Sequence, residues 1–253
     1  MVAGLTLSTT RQLDIAAPTP RTDWALFLDI DGTLLDLAPR PDAVEVPANL
    51  AATLADAGSR LGGALAIVSG RTLAEIDQLM APLRLPCVGE HGAVIRRPDG
   101  ATDRAGADHR VPSAWKTSLH AATRYWPGVL VEEKTYGVAV HFRQAPSRER
   151  EIRDLTEALV AQDATGFEVL PASMAFEIRH RALTKAIAVE TFMALPPFAG
   201  RVPVFIGDDV TDEDGFRAAR AMGGLGLNVK QSFGGRPCEV RRWLQCFADL
   251  PTL

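Results

Sequence analysis

The chain has 253 residues, 47% of them hydrophobic, and its 27 basic and 31 acidic side chains leave a net charge of -4. That is enough apolar material for one large domain or a core with a smaller lid. The near-balanced charge excludes electrostatic capture of nucleic acid or of an anionic membrane as the main activity, so an anionic small molecule must be attracted locally. Cys87, Cys238 and Cys246 are odd in number and lack paired CxxC spacing, which speaks against a disulfide framework or a thiolate zinc site. No apolar run approaches the roughly 20 residues that span a bilayer, and the opening residues lack a basic start followed by an apolar block. These features point to a soluble, cytoplasmic protein, expected to be a monomer.

In chain order, residues 1–22 carry Thr, Ser and Pro without apolar periodicity and are expected to form a loose leader. Structure is expected from Trp24. The run WALFLDI is short, apolar and bounded by DGT, which reads as a buried parallel strand ending at residues 29–31. ALAIVSG (64–70), CVGEHGAVI (87–95) and VPVFIGDD (202–209) read the same way. Helical patterns separate them, ANLAATLADAGSRL and then TLAEIDQLMAPL. The alternation predicts an α/β fold with a doubly wound parallel sheet, a Rossmann-like core whose ligands bind at the carboxyl ends of the strands.

The middle of the chain changes character. A helix pattern (SAWKTSLHAATRYW), a hairpin-like stretch (VLVEEKTYGVAVHFRQAP), a charged helix pattern and the short strands FEVL and MAFEIR predict an inserted α+β cap over residues 111–180. The core is then expected over residues 23–110 and 181–253.

Four groups of residues carry chemistry. Asp29 and Asp31 are two apart, so an extended backbone brings both carboxylates to one face of what is expected to be an exposed strand end. Their repulsion calls for a cation, and Mg²⁺ suits such hard oxygen donors. The pair can divide labour, with Asp29 attacking phosphorus and Asp31 donating to the leaving oxygen, then taking a proton from water. Gly32 allows the sharp turn that follows. Ser69, Gly70 and Arg71 follow the second strand and can hold phosphate oxygens through a hydroxyl and helix-terminal amides, although a serine there also suits plain helix capping. Lys185 opens an amphipathic helix, where it opposes the helix dipole, and can pair with Asp29 and a phosphate. The segment 207–214 crowds Asp208, Asp209, Asp212, Glu213 and Asp214 behind an apolar strand. The last three suit a helix's first turn, whereas Asp208 and Asp209 sit at the strand end and suit a divalent cation.

DIDGTL, SGR, Lys185 and GDDVTDED resemble, in order and spacing, the four signature motifs of the haloacid dehalogenase superfamily of phosphatases. The resemblance implies Asp29 as nucleophile and metal ligand, Asp31 as acid and base with its backbone carbonyl on Mg²⁺, Asp208 as a further ligand, and Ser69 and Lys185 on the phosphoryl oxygens. Asp209 and Asp212 remain unranked as further ligands. The insert looks like the lid that excludes water in such enzymes.

GEHGA (89–93), VEEKTYGVAVHFRQAP, FEIR and GDDVTDEDGF are more narrowly similar to the trehalose-6-phosphate phosphatases. That family implies Glu132, Lys134 and Glu177 on sugar hydroxyls and trehalose 6-phosphate as substrate, the last step of trehalose biosynthesis. His180, Ala186 and Gly215 depart from its pattern, where a proline, a glycine and a larger residue are expected. Two alternatives stay open: another sugar phosphate, such as sucrose 6-phosphate or mannosyl-3-phosphoglycerate, and a non-enzymatic sugar-phosphate-binding module.

Overall fold

A computed structural model of the chain describes residues 17–38, 43–162, 166–172 and 174–251. The expected leader falls largely outside these. Its last part, residues 17–22, is not loose: Pro20 is buried, the Pro18 carbonyl accepts from Trp243 Nε1 at 2.7 Å and the Thr22 carbonyl accepts from Arg201.

The elements follow in chain order. They are β1 (Trp24–Leu28), α1 (Leu50–Arg60), β2 (Leu65–Val68), α2 (Leu73–Met80), β3 (Cys87–Gly89), β4 (Val94–Arg96) and β5 (Thr102–Arg104). Then come α3 (Ser113–Thr123), β6 (Leu130–Glu133), β7 (Gly137–His141), α4 (Glu149–Val160), β8 (Phe167–Ala172) and β9 (Ala175–His180). The chain closes with α5 (Ala186–Met193), β10 (Val202–Gly207), α6 (Glu213–Ala221), β11 (Leu225–Asn228), α7 (Val229–Ser232) and α8 (Pro237–Gln245).

The core sheet runs β11-β10-β1-β2-β3-β4-β5. Its first five strands are parallel, as their continuous apolar runs require. β1 is buried along its whole length, and its Phe27 packs among Phe192, Phe198 and Phe205. The stretch CVGEHGAVI differs from its reading as one parallel strand. It breaks at Glu90 and His91, whose φ of 47° and 58° turn the chain back, so that β4 pairs antiparallel to β3.

Register places the chemistry. Leu28 pairs with Ile206 on one side and Ile67 on the other, so β10, β1 and β2 end side by side. The residues just past these ends are Asp208, Asp29 and Ser69, one from each of three neighbouring strands.

The second sheet is antiparallel, in the order β6-β7-β9-β8. Val138, Val140, Phe176 and Ile178 face Ile152 of α4 and Leu119 of α3 in a separate apolar cluster. Alternation sends the residues between them to the other face. Ala139 pairs with Glu132 on one side and Glu177 on the other, so two carboxylates flank a small residue on the face left open.

Candidate active site

A cleft of about 530 Å³ lies between the two sheets, lined by Asp29, Asp31, Ser69, Gly70, Arg71, Lys185 and Asp208 from the core and by Glu132, Lys134 and Glu177 from the second sheet. The structure thus brings together every residue that the sequence singles out for catalysis, substrate or metal.

At its floor, Lys185 Nζ lies 2.7 Å from Asp29 Oδ1 and 2.6 Å from Asp212 Oδ1. Lys185 stands at the N-cap position of α5, whose first turn holds no acidic residue. Burial alone would lower its pKa, but the Asp212 and Asp29 carboxylates prevail and hold it well above the ordinary lysine range. Asp29 is only 4% exposed, which corrects its placement at an exposed strand end. Burial pushes its carboxyl well up, Lys185 opposes that shift, and Asp212 and Asp208 add to it. Asp208 is pushed up to about 7, chiefly by burial and then by Asp212 and Asp209. Oxygens of Asp29, Asp208 and Asp212 lie within 4.8 Å of one another. Three carboxylates against one ammonium leave two negative charges, and hard oxygen donors at this spacing fit a divalent cation such as Mg²⁺.

The geometry also separates Asp212 from Asp209. Asp212 Oδ1 is taken by Lys185 and its Oδ2 by the backbone amides of Asp208 and Asp209, both at 3.0 Å. That side chain ties Lys185 to the acidic loop while staying within 4.8 Å of the Asp29 and Asp208 oxygens. Asp209 lines the cleft outside that carboxylate cluster and accepts from the Val210 amide. Gly32, at φ +77°, lies so close to Asp208 that a Cβ there would come within 2.1 Å of its carboxylate. Thr33 Oγ1 stands 3.3 Å from Asp29 Oδ2.

Asp31 faces elsewhere. Arg71 grips both of its oxygens, Nε at 2.7 Å and Nη2 at 2.6 Å. Ser69 is buried and accepts from the Arg71 amide, while Thr72 and Glu75 form the capping box of α2. Ser69 is therefore not the cap of that helix.

On the opposite wall, Glu177 binds Lys134 Nζ at 3.0 Å and His91 Nε2 at 3.2 Å. Burial would raise its pKa, but Lys134 and His91 hold it far below the usual carboxylate range. Glu132 binds His141 Nε2 at 2.7 Å. Burial opposes ionisation there too, yet His141 and Lys134 keep its carboxyl low. His91 and His141 were not marked as site residues in the sequence. The partner of His91 lies 86 positions away, whereas His141 meets Glu132 across the β6–β7 hairpin, a pairing that the hairpin pattern in the sequence offered.

Of the departures, His180 ends β9 with its ring edge-on to His109 and its Nδ1 accepting from the Ala182 amide. Ala186 simply opens α5. Gly215 lies against the Phe205 ring inside α6, where a larger residue would collide.

Residues 27–237 match the trehalose-phosphatase family. The chain belongs to that family. It is 46% identical over 214 residues to the "Probable trehalose-phosphate phosphatase" of Sinorhizobium fredii (strain NBRC 101917 / NGR234), covering 85% of this chain and 80% of that protein. It is 35% identical over 212 residues to the trehalose-6-phosphate phosphatase of Escherichia coli (strain K12), covering 84% and 79%. Among solved structures it resembles the C-terminal domain of a C. albicans trehalose-6-phosphate phosphatase, with a TM-score of 0.73 at 19% identity over 90% of this chain and 93% of that one. The fold of this trehalose-phosphatase family member is that of the haloacid dehalogenase-like phosphatases.

Proposed function

We propose that the protein is a Mg²⁺-dependent phosphatase that hydrolyses trehalose 6-phosphate to trehalose and inorganic phosphate. One observation carries the reading: a buried Lys185–Asp29 pair forms the floor of a cleft whose far wall presents Glu132, Lys134 and Glu177. The floor suits a phosphoryl group. The far wall offers charged acceptors and a donor in a partly desolvated space, which is the chemistry that discriminates sugar hydroxyls.

Asp29 and Asp208, with the Asp31 backbone carbonyl, would hold Mg²⁺, which when bound neutralises the phosphoryl oxygens and the carboxylates around it. In the first step a carboxylate oxygen of Asp29 bonds to phosphorus, the bond from phosphorus to the sugar oxygen breaks, and Asp31 gives that oxygen a proton. In the second, water attacks the phosphoryl group on Asp29, Asp31 takes back a proton, and phosphate leaves with the Asp29 carboxylate restored. Ser69, Lys185 and the Gly70–Arg71 backbone bind the phosphoryl oxygens throughout. Asp31 can serve only once its fork with Arg71 opens.

No helix among the described residues is long and apolar enough to cross a membrane. Among the described residues the exposed large apolar side chains include Tyr125, Leu130 and Met222, and a monomer is the expected state. A cytoplasmic small-molecule enzyme agrees with these features.

Phosphate release with Mg²⁺ from trehalose 6-phosphate, sucrose 6-phosphate, mannosyl-3-phosphoglycerate and glucose 6-phosphate tests the reading. Preference for the first is expected. Equal rates on all four would overturn the substrate, and binding without turnover would make the protein a sugar-phosphate-binding module.

A further inference from the structure

The turn that breaks the strand CVGEHGAVI is in an unusual conformation. Glu90 and His91 have consecutive positive φ values, 47° and 58°, a region that residues other than glycine seldom occupy and that persists only where surrounding structure imposes it. Both side chains are buried, at 5% and 6% exposure. Both reach across to the second sheet. The Glu90 carboxylate accepts the Tyr136 amide at 2.7 Å, and His91 Nε2 stands 3.2 Å from Glu177 Oε2.

The same two residues are tied by their backbones to the phosphate loop. The Glu90 amide donates to the Arg71 carbonyl at 2.9 Å, and the His91 amide to the Ser69 carbonyl at 3.2 Å. The His91 ring lies against Gly70 so closely that a Cβ on that glycine would fall 2.4 Å from Nε2. One turn therefore touches the loop expected to hold the phosphate and the carboxylate expected to read the sugar.

Burial lowers the His91 pKa against the pull of Glu177. An ionised carboxylate only accepts, so at 3.2 Å from Glu177 Oε2 the Nε2 position serves as the donor. Nδ1 has no partner among the described residues. An unpartnered acceptor is a smaller cost than an unpartnered donor. The ring thus has one directional bond, and it goes to Glu177.

We propose that His91 is a positioning residue for sugar recognition: anchored on the phosphate loop, it aims the Glu177 carboxylate, so that the sugar site keeps register with the phosphate site. This deepens the proposed function and rests on Glu177 meeting the sugar. Lys134 cannot replace it, because Lys134 follows β6 of the same sheet as Glu177, whereas His91 belongs to the core.

The test is a double-mutant cycle on the full chain with Mg²⁺, with trehalose 6-phosphate and p-nitrophenyl phosphate as substrates. His91→Leu fills the space without the donor, and His91→Gln can restore an N–H near the Nε2 position. His91→Leu is expected to lower kcat/KM for trehalose 6-phosphate about tenfold more than for p-nitrophenyl phosphate, as loss of one hydrogen bond to a charged group implies, mainly through KM. His91→Gln should recover most of that loss. In a Glu177→Ala background the same His91→Leu change should cost less than twofold, because its effect passes through Glu177. Equal losses on both substrates, or full additivity with Glu177→Ala, would overturn the proposal. Should His91→Leu fail to fold by circular dichroism, His91→Gln against His91→Asn decides. Asn suits the turn's backbone but cannot reach Glu177, so equal discrimination by the two variants would also overturn it. A wild-type enzyme that does not prefer trehalose 6-phosphate would sink the substrate reading instead, a result visible before any variant is made.

Discussion

Arg71 holds Asp31 by both carboxylate oxygens, at 2.6 and 2.7 Å, so the side chain proposed to move protons is clamped as the chain stands alone. A guanidinium fork is the geometry that a phosphate or a second carboxylate competes for best. Asp31→Asn keeps the shape and removes the proton transfer. Its expected effect is a loss of turnover of about 10²- to 10⁴-fold with substrate binding retained, read by steady-state kinetics and calorimetry. Survival of more than a small fraction of the rate would assign the acid to another group.

Asp29→Asn removes the proposed nucleophile, and turnover is expected to vanish. Although Asp29 is buried, Lys185 keeps Asp212 at 2.6 Å in the variant, so the ammonium is not left alone. The thermal midpoint should shift by only a few degrees. Residual activity near a tenth of the wild type would exclude a covalent Asp29 intermediate.

Lys185→Met is expected to be the most damaging single change to stability in the site. It leaves Asp29 and Asp212 buried without their shared cation, and breaking a buried pair costs about 3–5 kcal/mol. Part of the loss should return when Mg²⁺ is added, since a divalent cation relieves the same repulsion. Urea denaturation with and without the metal measures both effects.

Metal binding should weaken in acid. The Asp208 carboxyl, raised to about 7 by burial and neighbouring carboxylates, is protonated below that pH, and a ligand must be ionised. As pH falls below about 7, the proton competes with Mg²⁺, so affinity should drop toward tenfold per pH unit. Titration calorimetry in buffers of different ionisation enthalpy should register proton release near pH 6 and little near pH 8. Affinity independent of pH across that range would remove Asp208 from the ligand set.

Much of the core was legible because its strands are continuous apolar runs that stop at acidic or hydroxyl residues. WALFL followed by Asp29 and VPVFIG followed by Asp208 declare both the strands and where they end. The alternation in β7 and β9 was legible too, since Val138, Val140, Phe176 and Ile178 can only be an inward face. CVGEHGAVI misled because its composition suits a strand while two of its residues adopt left-handed backbone, a choice imposed by contacts with Ser69, Arg71 and Tyr136 from elsewhere in the chain.

The sequence by itself determined which residue types stand at the strand ends, because local apolar patterning and the period of two dictate where a strand stops and which way its side chains point. It could not rank Asp212 against Asp209, reveal the Arg71 grip on Asp31, or connect His91 to Glu177, 86 positions apart. Those relations depend on which donors a folded chain brings within about 3 Å of an oxygen, a short-range property that spacing along the backbone does not encode. Only the tertiary structure decided them.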